Sequence, residues 1–249
     1  PVYDLFLNDM VIEYFTGKVA PPGKVGNKLR AQALRYILDM TRGATFPPQE
    51  PGDHIDEFGL VKRWEKWRDC GFVSRPFTEE SGAMKYTAAV IRKLKREIKN
   101  LNLKQYAADF RKELLEVQND IGDDTVQLLR ESGPGLDWIR ASLGLELFSY
   151  VYAEEPGLIS EFLELYTHRE VLMIHAVADY NFSPCTLTYG DIACKQKLLH
   201  SPAFLKKEFF PRLKRINDAF HEHNIKCLYH SDGYIMDIIP DLIEAGCDG

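Results

Sequence analysis

The feature that most constrains this chain is the alternation of short strand-like runs and helical patterns in its second half. Residues 185–189 and 227–229 are short apolar runs, and each is followed by a turn and then by a helical pattern. The first of these helices has apolar residues on one face from Leu205 to Phe220. Alternating strands and helices are typical of parallel pairing, because a parallel connection needs a crossover. The second half therefore predicts a parallel α/β arrangement.

The remainder of the chain adds further strands and helices to this pattern. Helical spacing of apolar residues predicts helices over 29–40, 91–101, 106–117, 136–152 and 156–178. Short apolar runs predict strands near 2–6, 70–74 and 124–130. No internal repeat, low-complexity segment or linker interrupts the sequence. We therefore expect residues 1–249 to form a single domain.

Composition excludes several classes of protein. The net charge of the chain is −6, whereas nucleic-acid-binding proteins typically carry a basic surface. No apolar run approaches the roughly 20 residues that a membrane span needs, and the N-terminus lacks the pattern of a signal peptide. Five widely spaced cysteines without a Cys-x-x-Cys pair argue against a disulfide framework and indicate a reducing compartment. These observations predict a cytoplasmic protein without nucleic-acid or membrane partners.

Polar residues follow the ends of the predicted strands. If these strands share one parallel sheet, their carboxyl ends bring the polar residues together at one mouth, where α/β barrels build their active sites. The candidates for substrate binding are Asp4, Asp9, Arg75 and Tyr189. The candidates for catalysis are Asp191, His230 and Asp232, of which His230 and Asp232 can also bind a metal ion.

The spacing of His230 and Asp232 leaves two interpretations open. Residues two apart on an extended strand point to the same face, so this imidazole and carboxylate can bind a metal, exchange a proton or hold a polar substrate. The alternative for His230 is a hydrogen-bonded residue at the rim, and for Asp232 a turn residue before Gly233. Asp191 can likewise cap the turn that follows Gly190. His221, at the end of a predicted helix, is expected to complement the helix dipole and not to bind metal.

Two segments resemble a known family. Residues 189–202 (Tyr-Gly-Asp-Ile-Ala-Cys-Lys-Gln-Lys-Leu-Leu-His-Ser-Pro) and 230–233 (His-Ser-Asp-Gly) with 239–248 resemble the uroporphyrinogen decarboxylase family. More narrowly, they resemble its branch of corrinoid-linked methyltransferases. The opening Pro-Val-Tyr-Asp and the Gly-Pro-Gly turn at 133–135 are similar as well. The resemblance implies a TIM (β/α)8 barrel of the uroporphyrinogen decarboxylase type.

The resemblance also implies an activity and its cofactors. It implies methyl transfer linked to a corrinoid (cobalamin) carried by a partner protein, with a small methyl donor or acceptor in the barrel mouth. Zinc in this branch is held by His-x-Cys and a later Cys; His230 matches, but Asp232 stands in place of the Cys. Zinc still accepts nitrogen and carboxylate oxygen, so a His230/Asp232 site stays chemically reasonable. A homodimer is a further expectation.

Two rival functions stay open at this point. The first is decarboxylation of the acetate side chains of uroporphyrinogen, with Asp191 or Asp4 stabilising a protonated pyrrole. The Arg-rich N-terminal segment that grips this tetrapyrrole substrate in true decarboxylases is missing here. The second rival is a barrel that binds a corrinoid or tetrapyrrole without catalysis. Because residues 247–249 open only a sixth strand, we expect the native polypeptide to continue into the C-terminal βα units of the barrel.

Overall fold

The computed structural model describes residues 2–3, 7–41 and 48–249, and these group into two compact units. The first unit comprises Pro1–Arg75 and Ala108–Leu129, and the second comprises Pro76–Ala107 and Arg130–Gly249. The strands of the described residues are β1 (Met40–Thr41), β2 (Gly52–Ile55), β3 (Val61–Glu65), β4 (Arg68–Ser74), β5 (Val126–Gln127), β6 (Glu131–Ser132), β7 (Cys185–Tyr189) and β8 (Lys226–His230).

The helices lie mostly in the second unit. They are α1 (Asp9–Thr16), α2 (Lys24–Leu34), α3 (Glu80–Lys99), α4 (Leu103–Ile121), α5 (Leu136–Leu143), α6 (Leu145–Glu154), α7 (Pro156–Val177), α8 (Pro202–Phe204), α9 (Phe210–His221) and α10 (Ile239–Glu244). A π-helical turn, Leu205–Phe209, joins α8 to α9, and a 3₁₀ turn, Met236–Ile238, precedes α10. Within the described part of the chain, no helix has both the length and the apolar character that crossing a membrane requires.

The first unit contains an antiparallel sheet with the order β2-β3-β4. Its strands are joined by short turns; in one of them Asp56 Oδ1 accepts hydrogen bonds from the Phe58 and Leu60 amides at 2.8 and 2.9 Å. A separate pair in the same unit, β1 and β5, is parallel. Ile12 of α1 is fully buried with Ala20 and Ala33, so the two N-terminal helices share a small apolar core.

The second unit contains the parallel sheet β6-β7-β8. Ser132 pairs with Thr188 and Thr188 with Tyr229, while Tyr189 pairs with His230 at the carboxyl ends. Helix α7 packs against α3, α6 and α9, and α9 also contacts β7 and β8. Buried aromatic side chains fill this unit, because alternating apolar positions of the strands face the apolar stripes of the helices. They are Phe148, Phe162, Phe209 and Phe220.

The barrel prediction is wrong for the described residues. They form three separate sheets of two, three and three strands, and none of these sheets closes. The predicted strand near 70–74 is present as β4, but it pairs antiparallel with β3. Only two residues separate β3 from β4, and such a connection is too short for the crossover that parallel pairing requires. The predicted run 124–130 divides between β5, which pairs with β1, and the approach to β6.

The predictions of individual strands and helices agree with the structure better than the barrel prediction does. The strand over 185–189 and the helix over 156–178 are confirmed as β7 and α7, and the strand over 227–229 lies within β8. The helix predicted over 136–152 is interrupted at Gly144, whose φ of 81° is outside the helical region. The helix predicted over 29–40 ends at Leu34. Met40, the last residue of the predicted range, is instead the first residue of β1. Local spacing therefore identified elements more reliably than their ends.

Candidate functional site

Two parallel strands of the second unit end side by side. Tyr189 of β7 pairs with His230 of β8, and the Gly190 amide donates a 3.1 Å hydrogen bond to the His230 carbonyl. The Tyr229 hydroxyl donates to the Gly190 carbonyl at 3.0 Å. A Cβ on residue 190 would overlap the Phe209 ring, so only glycine fits here. These contacts fix the direction in which the chain leaves β7 toward Asp191.

Asp191, His230 and Asp232 meet at this edge, and we call them the strand-end site. One ligand atom from each lies within 4.8 Å of the other two. His230 Nε2 is 3.9 Å from Asp191 Oδ1 and 3.8 Å from Asp232 Oδ1. The Asp232 amide donates a 3.1 Å hydrogen bond to Asp191 Oδ1, which ties the loop after β8 to the loop after β7. The sequence-predicted catalytic residues are therefore neighbours.

The donor set and spacing of the strand-end site suit a divalent metal ion. Zinc binds imidazole nitrogen and carboxylate oxygen at about 2.0–2.2 Å, which places tetrahedral ligands about 3.4 Å apart. The observed separations of 3.8 and 3.9 Å exceed this by about half an ångström, within reach of small side-chain rotations. The side chains of Asp191 and His230 are 45% and 43% exposed, so further coordination positions face solvent.

Asp137 holds the main chain of Asp191 by a hydrogen bond. It lies in the first turn of α5, where its Oδ2 accepts a 3.0 Å hydrogen bond from the Asp191 amide and its Oδ1 accepts one from Arg140 at 2.7 Å. Burial raises the pKa of Asp137, although the Arg140 guanidinium opposes the shift. Sequence reasoning missed this residue. The signal available in the sequence was its position two residues after the Gly-Pro-Gly turn at 133–135, which directly precedes α5.

Tyr189 is the last residue of β7, two positions before Asp191. It pairs in register with His230, and side chains of paired residues in a sheet share a face. A Cβ on Gly133 would contact the Tyr189 ring, so the β6–α5 turn packs closely on it. Burial is the main cause of the strongly raised pKa of Tyr189, so its hydroxyl keeps its proton throughout the neutral range. Tyr189 can offer an uncharged donor or acceptor to a ligand.

Of the other predicted substrate-binding residues, Asp9 and Arg75 belong to the first unit. Asp9 opens α1 and accepts hydrogen bonds from Lys66 Nζ at 2.7 Å and Trp67 Nε1 at 3.0 Å. Arg75 follows β4 of the antiparallel sheet. Asp4 lies outside the described residues. Arg75 and His230 lie at the ends of strands of different sheets, β4 and β8, so the common sheet edge predicted for them is not formed among the described residues.

No protein-family model, curated protein or solved structure matches this chain. The resemblance to the uroporphyrinogen decarboxylase family therefore stays a prediction that rests on the quoted segments. The geometry of the strand-end site stands independently of it.

Proposed function

We propose that this chain is an enzyme whose strand-end site binds zinc through Asp191, His230 and Asp232. The observation that carries the proposal is the approach of three potential ligand atoms to within 4.8 Å, from two loops and one strand end. Hydrogen bonds with Gly190 and Asp137 hold the main chains of His230 and Asp191. The Asp232 side chain is 82% exposed, and its amide is held by Asp191 Oδ1.

We propose methyl transfer to or from a corrinoid carried by a partner protein as the reaction. Zinc supplies a Lewis acid that activates the group losing or gaining the methyl. Asp191 and His230 are nearly half exposed, so a large cofactor on another protein can approach them directly. In this proposal Tyr189, the register partner of His230, orients the polar group of a small methyl donor. The resemblance of residues 189–202 and 230–233 to the corrinoid-linked methyltransferases supports this choice of reaction.

A reducing location fits this activity. All five cysteines are free thiols in the structure, and reduced corrinoids also require a reducing environment. We therefore propose a cytoplasmic location.

The test is methyl transfer to reduced cobalamin, followed by its absorption spectrum, with thiol, amine and aryl-ether donors and with zinc added or removed. We expect transfer that needs zinc and falls at least tenfold in His230→Ala. The matched control is His168→Ala, because His168 is an exposed histidine of α7 and is not one of the three proposed ligands. Three outcomes contradict the proposal: no transfer from any donor, equal transfer in His230→Ala, or conversion of uroporphyrinogen to coproporphyrinogen in place of methyl transfer.

A further inference from the structure

A second group of metal-ligand side chains lies at the opposite, amino-terminal end of β8. His221 ends α9, Cys227 is the second residue of β8, and Asp248 follows α10; we call these three residues the strand-start cluster. Their ligand atoms also lie within 4.8 Å of one another. His221 Nε2 is 2.8 Å from Asp248 Oδ2, and the Cys227 amide donates a 2.8 Å hydrogen bond to the same oxygen.

The burial of these groups gives the cluster a closed side and an open side. Cys227 is fully buried, and its thiol faces the Asn217 carbonyl of α9 at 3.8 Å. The side chains of His221 and Asp248 are 35% and 23% exposed, so an ion can enter from solvent. The buried Cys227 thiol is thus fixed by its surroundings, and the partly exposed side chains of His221 and Asp248 can rotate to bind an ion.

Asn217 supplies an independent sign of an incomplete polar environment. This residue is fully buried, its Nδ2 donates to the Ala245 carbonyl at 2.8 Å and to Cys247 Sγ at 3.5 Å, and its Oδ1 has no hydrogen-bond partner. Buried side-chain oxygens are nearly always paired, with protein or with an ordered water. The same residue faces the Cys227 thiol with its main-chain carbonyl, so the polar surroundings of the cluster are incompletely paired.

We propose that His221, Cys227 and Asp248 form a second zinc site. A mixed set of imidazole nitrogen, thiolate sulfur and carboxylate oxygen suits zinc, whereas calcium and magnesium prefer oxygen ligands alone. The ion would link the end of α9, the start of β8 and the segment after α10. This inference does not rest on the proposed function, and it replaces the sequence-based expectation that His221 does not bind metal.

The charges around the cluster are consistent with a cation. The carboxyl end of α9 carries the negative end of the helix dipole, close to His221. Lys226 Nζ lies 2.7 Å from Asp248 Oδ1, but its side chain is 68% exposed and can turn into solvent when the ion neutralises Asp248.

Cobalt(II) titration of the reduced protein tests this site, because only the strand-start cluster contains a sulfur ligand. We expect a thiolate-to-cobalt charge-transfer band in the near ultraviolet for the wild-type chain and for His230→Ala. The band should be lost in Cys227→Ser and retained in Cys185→Ser, a control at the partly buried cysteine that begins β7. No band in the wild type, or a band that persists in Cys227→Ser, would overturn the proposal.

A second variant covers the case in which Cys227→Ser does not fold. His221→Ala removes a partly exposed ligand, and its far-ultraviolet circular dichroism should match that of the wild type. We expect its cobalt affinity, measured by the band, to fall at least tenfold; an unchanged affinity overturns the proposal. Loss of the strand-end site in His230→Ala leaves the band intact, so failures of the two sites are distinguishable.

Discussion

The Asp137 carboxylate accepts a hydrogen bond of 3.0 Å from the backbone amide of Asp191. This contact joins the first turn of α5 to the loop that leaves β7. Arg140, on the same helix, holds the other carboxylate oxygen at 2.7 Å. Asp137 thus positions the main chain of Asp191 without belonging to the strand-end site itself.

Replacing Asp137 tests this positioning role. In Asp137→Ala the Asp191 amide loses its acceptor, and we expect zinc affinity at the strand-end site to fall about 10- to 100-fold. Asp137→Asn is the matched control, since its amide oxygen can still accept the hydrogen bond and should keep most of the affinity. Isothermal titration with zinc, carried out in a His221→Ala background, measures the strand-end site alone. Equal affinities for the Ala and Asn variants would contradict the positioning role.

Gly190 gives a second test of how the loop after β7 is held. A Cβ in Gly190→Ala would overlap the Phe209 ring and push Asp191 out of position, so we expect a loss of about 1–3 kcal/mol in the free energy of unfolding. Zinc affinity should fall as well. Gly157→Ala is the control, because no atom lies within 4 Å of its added Cβ and it stands in the first turn of α7. Urea unfolding should show that variant to be unchanged or slightly stabilised.

The sequence predicted the elements of the second half because local periodicity and turn residues determine them. Cys185–Tyr189 became β7 as expected, and Ser201 caps the helix at Pro202 by accepting a 3.2 Å hydrogen bond from the Phe204 amide. Sheet pairing was not predictable in the same way. The apolar run near 70–74 is compatible with either direction of pairing, and the short turn at Lys66-Trp67 decided for an antiparallel one. The single-domain interpretation of residues 1–249 stays a prediction.

The strand-end site was predictable because parallel neighbours end at one edge, which places His230 next to the residues that follow β7. The same-face argument for His230 and Asp232 does not apply, because β8 ends at His230 and Asp232 lies in the bend that follows. Asp137 and the strand-start cluster were not predictable from spacing. Asp137 reaches Asp191 across 54 positions of sequence, and His221, Cys227 and Asp248 meet only because α9 packs on β8. Such contacts depend on tertiary packing, which periodicity does not encode.

A buried ion pair in the second unit predicts a large stability effect. Arg130 and Glu170 are 2.7 Å apart with side chains only 9% and 6% exposed, and the Arg130 guanidinium also donates to the Tyr106 hydroxyl. Glu170→Ala leaves this guanidinium buried without its carboxylate, so we expect a loss of about 3–5 kcal/mol in the free energy of unfolding. The double variant Arg130→Met/Glu170→Leu should recover most of the lost free energy of unfolding, measured by unfolding in guanidinium chloride. A loss below about 1 kcal/mol in Glu170→Ala would contradict this account.

His200 predicts how stability depends on pH. Burial, with a smaller contribution from Arg140, lowers the pKa of His200 from 6.5 to about 4. Between pH 6.5 and pH 4 the unfolded chain therefore binds a proton that the folded chain does not, so stability is fully present above pH 6.5 and falls as the pH drops through this range. The contribution amounts to at most about 3 kcal/mol.

Thermal unfolding between pH 4 and pH 7 tests this contribution with His200→Phe, which preserves the aromatic contacts to Phe148 and Phe204. The variant should show a flatter pH dependence than the wild type, while the exposed-site control His168→Gln should follow the wild-type curve. Identical slopes for wild type and His200→Phe would rule out His200 as the titrating group.

The most direct measurement of the central claim is anomalous diffraction at the zinc absorption edge from crystals grown with zinc. We predict an anomalous peak that lies within about 2.2 Å of His230 Nε2 and of carboxylate oxygens of Asp191 and Asp232. The peak should vanish in His230→Ala crystals. Zinc-soaked crystals with no peak between these three side chains, at a concentration that fills other sites, would contradict the account.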